Sequence, residues 1–144
     1  MDLIEAEQLA KKLINQHCPE YTFRFDRSKK RFGCCFLIKK EITLSKYLAE
    51  LNTYEDVEQC ILHEIAHALV PFGENHGKLW KQKARAIGFN GTRTHTAKMP
   101  EPKYIYKCPH CGAEYKQMRK STRQFNCGVC YNRTKVKYPL ELIK

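Results

Sequence analysis

Apolar residues recur at helical spacing in three segments of the chain, and they alternate with polar residues between the first two. The first helical segment follows Asp2, a residue suited to a helix N-cap, and stops at Cys18. The second follows Thr53 in a sequence that resembles a capping box. The third follows Asn75, a candidate cap, and stops at Gly88. The pattern therefore predicts three amphipathic helices in the first ninety residues or so.

Short alternating runs occupy residues 21–25, 31–38 and 41–44, between the first two helices. We expect three strands there, in one small antiparallel sheet. Gly, Thr, Lys and Pro then dominate from residue 90 to 102, a composition typical of a linker. The pattern predicts an α+β domain at residues 1–98 and a separate small module at 99–144.

A chain of 144 residues is long enough to bury one core, with room for a small appendage. Its N-terminal sequence lacks the basic and apolar segments of a signal peptide, and no run approaches 18 apolar residues. We therefore expect an intracellular protein, cytoplasmic or associated with the nucleoid or nucleus, that makes no contact with membranes. Reduced thiols are the rule in such compartments, so the eight cysteines are expected to be metal ligands or buried thiols. The cysteines expected to be buried thiols are Cys18, Cys34, Cys35 and Cys60.

The motif His63-Glu64-Ile65-Ala66-His67 lies inside the second predicted helix. Residues four apart share a helical face, so two imidazoles can converge on one ion. Glu64 lies about 100° around the helix from His63, which leaves its carboxylate beside the ion as a general base. An ordinary core helix is the alternative interpretation, but three titratable groups in so apolar a stretch would be costly to bury without a partner.

Catalytic zinc needs a third protein ligand, and His76 is our candidate because the chain can turn back after Pro71. Glu74 and His95 are the rival candidates. The longer metzincin motif is absent, since position 70 is Val and position 73 is Gly. A zinc deaminase would place the glutamate two residues after the histidine, so we discount that class.

Two Cys-x-x-Cys pairs follow the predicted linker and are separated by 15 residues. This spacing is typical of a structural zinc site with four thiolate ligands and no open position. The module is too small to build its own core, so the metal is expected to hold it together. A redox role for either pair is the weaker interpretation. The predicted ligands are Cys108, Cys111, Cys127 and Cys130.

Positive charge is concentrated in the second half of the chain. Residues 1–72 carry 10 Lys and Arg against 11 Asp and Glu, whereas residues 73–144 carry 16 against 4. Such an excess is either a solvated surface or a binding surface for a polyanion. Aromatic residues among the cations could stack on unpaired bases, or could form the small core of the module. The candidate nucleic-acid residues are Lys116, Arg119, Lys120, Arg123, Arg133, Lys135 and Lys137, with Tyr115, Phe125 and Tyr131.

Three stretches together resemble the SprT-like metallopeptidases, a family that includes the Spartan proteases acting on proteins crosslinked to DNA. They are residues 60–68, residues 76–80 and residues 86–89. The hairpin around Gly33 and residues 41–45 is also similar. The resemblance implies a zincin-like fold, zinc bound by the three histidines, Glu64 as the base, and DNA as a partner.

The sequence therefore predicts a zinc endopeptidase, with one catalytic and one structural Zn²⁺, that cleaves proteins bound or crosslinked to DNA. Single-stranded DNA is the form that the aromatic and basic pattern favours. The alternative prediction is a nucleic-acid-binding zinc-ribbon protein whose His-Glu-x-x-His site is not catalytic. An intact Glu64 disfavours it, because a purely structural site needs no base.

Overall fold

The computed structural model describes residues 1–91 and 98–144. The chain divides into two compact units, the first unit at Met1–Pro100 and the second unit at Glu101–Lys144. Both contain helices and strands, which confirms the predicted α+β class. In the part of the chain that the model describes, no helix has both the length and the apolar sequence needed to cross a membrane.

Two long helices of the first unit begin at the predicted caps. Helix α1, Leu3–His17, starts at Asp2, whose side chain accepts hydrogen bonds from the backbone N–H groups of Ile4 and Glu5. The other long helix, Tyr54–Ala68, starts at Thr53, which forms a reciprocal capping box with Asp56. Both caps satisfy backbone donors that a helix leaves unpaired in its first turn.

The three strands of the first unit are β1, Thr22–Asp26, β2, Gly33–Phe36, and β3, Glu41–Ser45. They lie in the order β1-β3-β2, and β1 runs parallel to β3. The prediction of a wholly antiparallel sheet was therefore wrong. The alternation of apolar and polar residues predicts a strand, but it does not predict which strand pairs with it or in which direction. The intervening chain crosses the end of β3, where Ser45 donates from its backbone N–H to Phe32 O and from its hydroxyl to Ser28 O.

A short helix, α2, Lys46–Leu51, directly follows β3 and was missed in the sequence. Ser45 ends the strand and also caps the helix, so no loop residues mark the change. With Tyr54–Ala68 as α3, the fourth helix is α4, Lys78–Ala86. Its cap is Gly77 rather than the predicted Asn75, because Asn75 has a φ of 49° and cannot begin a right-handed helix. His76 consequently lies just before α4 and not on it.

Helix α3 is buried on two sides. Val57, Ile61 and Ile65 belong to a core formed with α1, α2 and the sheet. Leu62 and Ala66 belong to a second cluster, formed with residues of and after α4: Trp80, Ala84 and Phe89. This double packing holds the helix that carries the His-Glu-x-x-His motif.

The second unit contains a three-stranded antiparallel sheet and one short helix. The elements are β4, Tyr104–Lys107, β5, Glu114–Gln117, α5, Gly128–Thr134, and β6, Glu141–Leu142. The strand order is β5-β4-β6. Helix α5 was not predicted, because the cysteine spacing that dominates this segment carries no helical period.

We expect Ile65→Ala to lower the free energy of unfolding of the first unit by about 2–5 kcal/mol. Ile65 is fully buried, so the substitution leaves a cavity between α3 and the sheet. The chain has a single tryptophan, Trp80, whose fluorescence during urea unfolding reports on this unit. Ile38→Ala is the matched control because Ile38 is 90% exposed. Equal losses in the two variants would contradict this packing.

Candidate metal centres

Three histidines of the first unit converge through their ring nitrogens. His76 Nε2 lies 3.1 Å from His67 Nε2 and 3.1 Å from His63 Nε2. His63 and His67 come from successive turns of α3, and His76 reaches them from the turn before α4. The structure thus brings together the three histidines that the sequence proposes as ligands. We call them the histidine cluster.

Trp80 supports this cluster from α4. Its ring centroid lies 4.8 Å from that of His63, 4.7 Å from that of His76 and 5.4 Å from that of His67. Phe89 contacts the other side of His63, at 5.5 Å between centroids. Aromatic packing on several sides restricts the rotation of the imidazoles, which keeps the three nitrogens aimed at a common point.

The donor set fits a metal ion. Zinc–nitrogen bonds of about 2.0–2.1 Å in a tetrahedral shell separate the nitrogens by about 3.3 Å, close to the 3.1 Å between the Nε2 atoms. Burial and the charge of His76 together lower the pKa of His67 to about 4. The neutral imidazole that a metal requires is therefore the favoured form at neutral pH.

Glu74, one of the two rival ligands, has a different role in the structure. Among the described residues, the group of converging donor atoms in the first unit contains the three histidines alone. The Glu74 carboxylate instead accepts a hydrogen bond from the backbone N–H of Leu79, 3.1 Å away, at the start of α4. Glu74 therefore caps the helix in place of Gly77, which has no side chain to do so. His95 lies outside the described residues.

Glu64 is 9% exposed and packs against strand β2. A Cβ atom placed on Gly33 would lie 3.2 Å from Glu64 Cγ, 2.9 Å from Cys60 Sγ and 3.1 Å from Thr43 O. Only glycine allows the strand to approach the helix this closely. Gly33 thus sets the position of Glu64, a role that no pattern in the sequence indicated.

Burial also controls the charge of Glu64. Loss of solvent raises the pKa of its carboxyl group to about 7, and the nearby positive charge of Arg31 opposes that rise. A carboxylate with a pKa near neutrality can both accept and return a proton at physiological pH. The residue is therefore suited to general acid–base chemistry.

The four predicted cysteine ligands of the second unit also converge, and we call them the cysteine cluster. Cys108 Sγ lies 3.7 Å from Cys130 Sγ, and Cys111 Sγ lies 3.5 Å from Cys127 Sγ. Zinc–sulfur bonds of about 2.3 Å in a tetrahedron separate the sulfurs by about 3.8 Å. The set of donors fits a closed metal shell, consistent with the predicted zinc ribbon.

Two side chains outside the cysteine cluster contact its sulfurs. The Tyr115 hydroxyl lies 3.4 Å from Cys127 Sγ, and His110 Nδ1 lies 3.4 Å from Cys130 Sγ. The Tyr115 contact and the backbone N–H of Cys130 lower the pKa of Cys127 to about 6. Burial and the neighbouring sulfurs raise the pKa of Cys130 to about 12. The complete set of four thiolates thus requires a cation.

The remaining cysteines have the character of buried thiols. Cys18 and Cys60 are buried, while Cys34 and Cys35 are half-buried on β2. Burial raises the pKa of Cys18 to about 11 and that of Cys35 to about 12, so both stay protonated at neutral pH. Among the described residues, none of these four cysteines belongs to a group of converging donor atoms.

The candidate nucleic-acid residues divide by exposure. Tyr115 is half-buried against the cysteine cluster, which supports the core role that the sequence left open for it. Phe125 and Tyr131 are 56% and 43% exposed. Lys135 Nζ lies 5.4 Å from the centroid of the Tyr131 ring. The exposed cations are Lys116, Arg119, Lys120, Arg123, Arg133, Lys135 and Lys137.

Comparison with known proteins shows similarity to one family. The SprT-like family model matches residues 4–100. Protein SprT-like of Oceanobacillus iheyensis is 30% identical over 141 residues, which cover 88% of this chain and 91% of that protein. Protein SprT of Proteus mirabilis is 34% identical over 98 residues, covering 65% of this chain and 58% of that protein. Protein SprT of Glaesserella parasuis is 32% identical over 82 residues, covering 54% and 53%.

Two solved structures are similar in backbone. They are the metallopeptidase zymogens of Methanocaldococcus jannaschii jannalysin and Pyrococcus abyssi abylysin, each with a TM-score of 0.49 and 19% identity. The first match covers 56% of this chain and 79% of that one, and the second covers 67% and 88%.

The histidine cluster, with His63 and His67 on α3 and His76 after it, has the donor set of a metal site. The matched family model and the relative from Oceanobacillus iheyensis identify the chain as a member of the SprT-like family. The resemblance noted in the sequence is thereby confirmed.

We expect Gly33→Ala to destabilise the first unit by about 1–3 kcal/mol, because the new methyl group would overlap Cys60 Sγ and crowd Glu64. Urea unfolding followed by Trp80 fluorescence measures the loss. The double variant Gly33→Ala/Cys60→Ala should lose less than the two single losses combined, since the contact at 2.9 Å disappears. Ile38→Ala is the control within the same unit, because Ile38 is 90% exposed. Strict additivity would refute the close approach.

Proposed function

We propose that this protein is a zinc-dependent endopeptidase whose substrates are proteins bound or crosslinked to DNA. The observation that carries the proposal is the convergence of three imidazole nitrogens, together with a buried glutamate that is adjacent to His63 in the motif. His63, His67 and His76 would hold the catalytic zinc. Once bound, zinc polarises the scissile carbonyl and acidifies a water molecule.

Glu64 is the general base in this proposal. Its carboxylate accepts a proton from the attacking water while the water oxygen bonds to the carbonyl carbon. The carbon–nitrogen bond of the peptide then breaks, and the carboxyl group returns the proton to the leaving amine. A pKa raised to about 7 by burial suits both transfers.

A second, structural zinc is proposed for the cysteine cluster. Among the described residues of the second unit, the buried apolar side chains are Cys108, Cys127 and Cys130. A unit with so small a core needs a metal to hold its loops together. The closed shell leaves no position for a substrate, so catalysis is assigned to the histidine cluster alone.

Nucleic acid is proposed as the partner of the second unit. Residues 101–144 carry 10 Lys and Arg against 3 Asp and Glu, and this excess supports the proposal together with the exposed rings of Phe125 and Tyr131. Cations along a surface bind phosphates, and exposed aromatic rings stack on unpaired bases. Binding of single-stranded DNA would bring the catalytic site to proteins attached to that DNA.

A nucleic-acid-binding protein without peptidase activity is the second candidate, because the exposed basic and aromatic residues would serve such a protein equally well. The two candidates differ in whether Glu64 performs chemistry. A test of the function must therefore measure cleavage and binding separately.

We expect the zinc-loaded protein to cleave a basic DNA-binding protein faster when single-stranded DNA is present. Glu64→Gln should lower the rate by at least about a thousandfold while zinc content and DNA affinity stay unchanged, because the amide cannot accept the proton. Gel electrophoresis of the products, metal analysis and fluorescence anisotropy make the three measurements. Glu55→Gln, an exposed position on the same helix, is the control.

Cleavage that is equal with and without DNA would leave the peptidase and remove the coupling to DNA. If the wild type and Glu64→Gln both bind zinc and DNA and neither cleaves any protein tested, the binding protein becomes the better candidate.

Removal of metal by a strong chelator should unfold the second unit and leave the first unit folded. The first unit has two apolar clusters of its own, whereas the core of the second consists of metal-ligand cysteines. Amide NMR would show collapse of the signals from residues 101–144, and Trp80 fluorescence would report an intact first unit. Retention of dispersed signals in the second unit after complete zinc removal would contradict the structural role.

A further inference from the structure

Helix α4 carries three cations on one exposed face. At about 100° per residue, Lys78, Lys81 and Arg85 fall within an arc of about 60°. The neighbouring side of the helix, about 110° around the axis, is buried, with Trp80 and Ala84 at 6% and 1% exposure. The three cations, which we call the basic face, follow one another over about 10 Å of the helix axis.

The basic face takes part in no ion pair with the described residues. Within the described part of the chain, the recorded ion pairs join Lys11 to Glu7, Arg24 to Glu41 and Arg31 to Asp26, and none involves α4. Between residues 73 and 100 the sequence has a single acidic residue, Glu74. Its carboxylate is directed to the backbone N–H of Leu79.

The positions of the three cations on α4 are not explained by a contribution to the stability of the helix. The partial positive charge of a helix N-terminus favours acidic residues in the first turn. Helix α1 has Glu5 there, and α3 has Glu55 and Asp56. Helix α4 has no acidic residue in its first turn and begins with Lys78, where a cation opposes the dipole. Arg85, near the C-terminus, fits the dipole, but Lys78 does not.

The buried side of α4 touches the histidine cluster. Trp80 contacts the rings of His63, His67 and His76, with centroids 4.7–5.4 Å apart. A helix with its side chains is about 10–12 Å across. An anion bound to the basic face would therefore lie within about one helix diameter of Trp80, the residue that contacts the three histidines.

We propose that the basic face of α4 binds the phosphate backbone of single-stranded nucleic acid. The first unit would then hold the strand itself, beside the catalytic site, in addition to any contact made by the second unit. The inference rests on the proposed function, which requires protein substrates attached to DNA.

The choice of partner follows from charge and from the rest of the chain. Three cations in a row match a strand that repeats its negative charge at short, regular intervals. The same chain exposes Phe125 and Tyr131 among further cations, and exposed rings have a use with bases but none with an acidic peptide. An acidic polypeptide is the competing partner that the experiment must detect.

The test compares two triple variants of the full zinc-loaded chain. The first is Lys78→Gln/Lys81→Gln/Arg85→Gln. The control, Lys12→Gln/Lys30→Gln/Lys40→Gln, removes the same net charge from exposed positions of the same unit. Anisotropy titrations with a single-stranded oligonucleotide at several salt concentrations give the affinity and its salt dependence for each. Trp80 fluorescence checks that both variants are folded.

Each phosphate contact contributes about 0.7 to the slope of log affinity against log salt for a single strand. Loss of three contacts should lower the slope by about 2 in the α4 variant, with an affinity loss of at least tenfold at low salt. The control should keep the wild-type slope. Equal slopes in the two variants would overturn the proposal, because net charge alone would then explain the binding.

Two further readouts separate the possible failures. Cleavage of a neutral peptide without DNA should be the same in the α4 variant and the wild type. If the α4 variant keeps the wild-type slope but loses cleavage of an acidic peptide, the basic face binds acidic substrates and the proposal is wrong. If no variant cleaves any peptide while the slope falls as expected, the proposed endopeptidase fails but the binding surface stands.

Discussion

The packing of helix α3 on both of its sides is the constraint on which the rest of the first unit depends. One side closes the main core through Val57 and Ile65, and the other packs on α4 through Leu62 and Ala66. A helix held in this way cannot rotate without opening a cavity. His63, Glu64 and His67 therefore have fixed directions, and the chain after them only has to return a third histidine to the same point.

Much of this arrangement could be predicted because it depends on local rules. The i, i+4 spacing of His63 and His67, and the caps at Asp2 and Thr53, each follow from helix geometry. The parallel pairing of β1 with β3 could not be predicted, because the alternation of apolar and polar residues is the same whichever strand lies beside β1. The role of Gly33 also could not be predicted, because it depends on contacts with Cys60 and Glu64, which lie on helix α3.

The two units solve the problem of burying polar ligands differently. The histidine cluster lies at the edge of an apolar core that would persist without a metal. In the second unit the ligands themselves are the core, and Tyr115 and His110 contact the sulfurs from outside. The sequence predicted which histidines and which cysteines would converge, whereas the partial burial of Tyr115 against the cysteines required coordinates.

The segment between α3 and α4 consists of two successive turns. The first is closed by a hydrogen bond from Glu74 N–H to Pro71 O, and the second by one from Gly77 N–H to Glu74 O. Glu74 also caps α4. The length of this segment therefore has to satisfy two conditions at once: the cap must form, and His76 must meet the other two histidines. Length variation among related sequences should therefore concentrate elsewhere in the chain. The spacing from His67 to His76 can serve as a criterion for recognising relatives that keep this site.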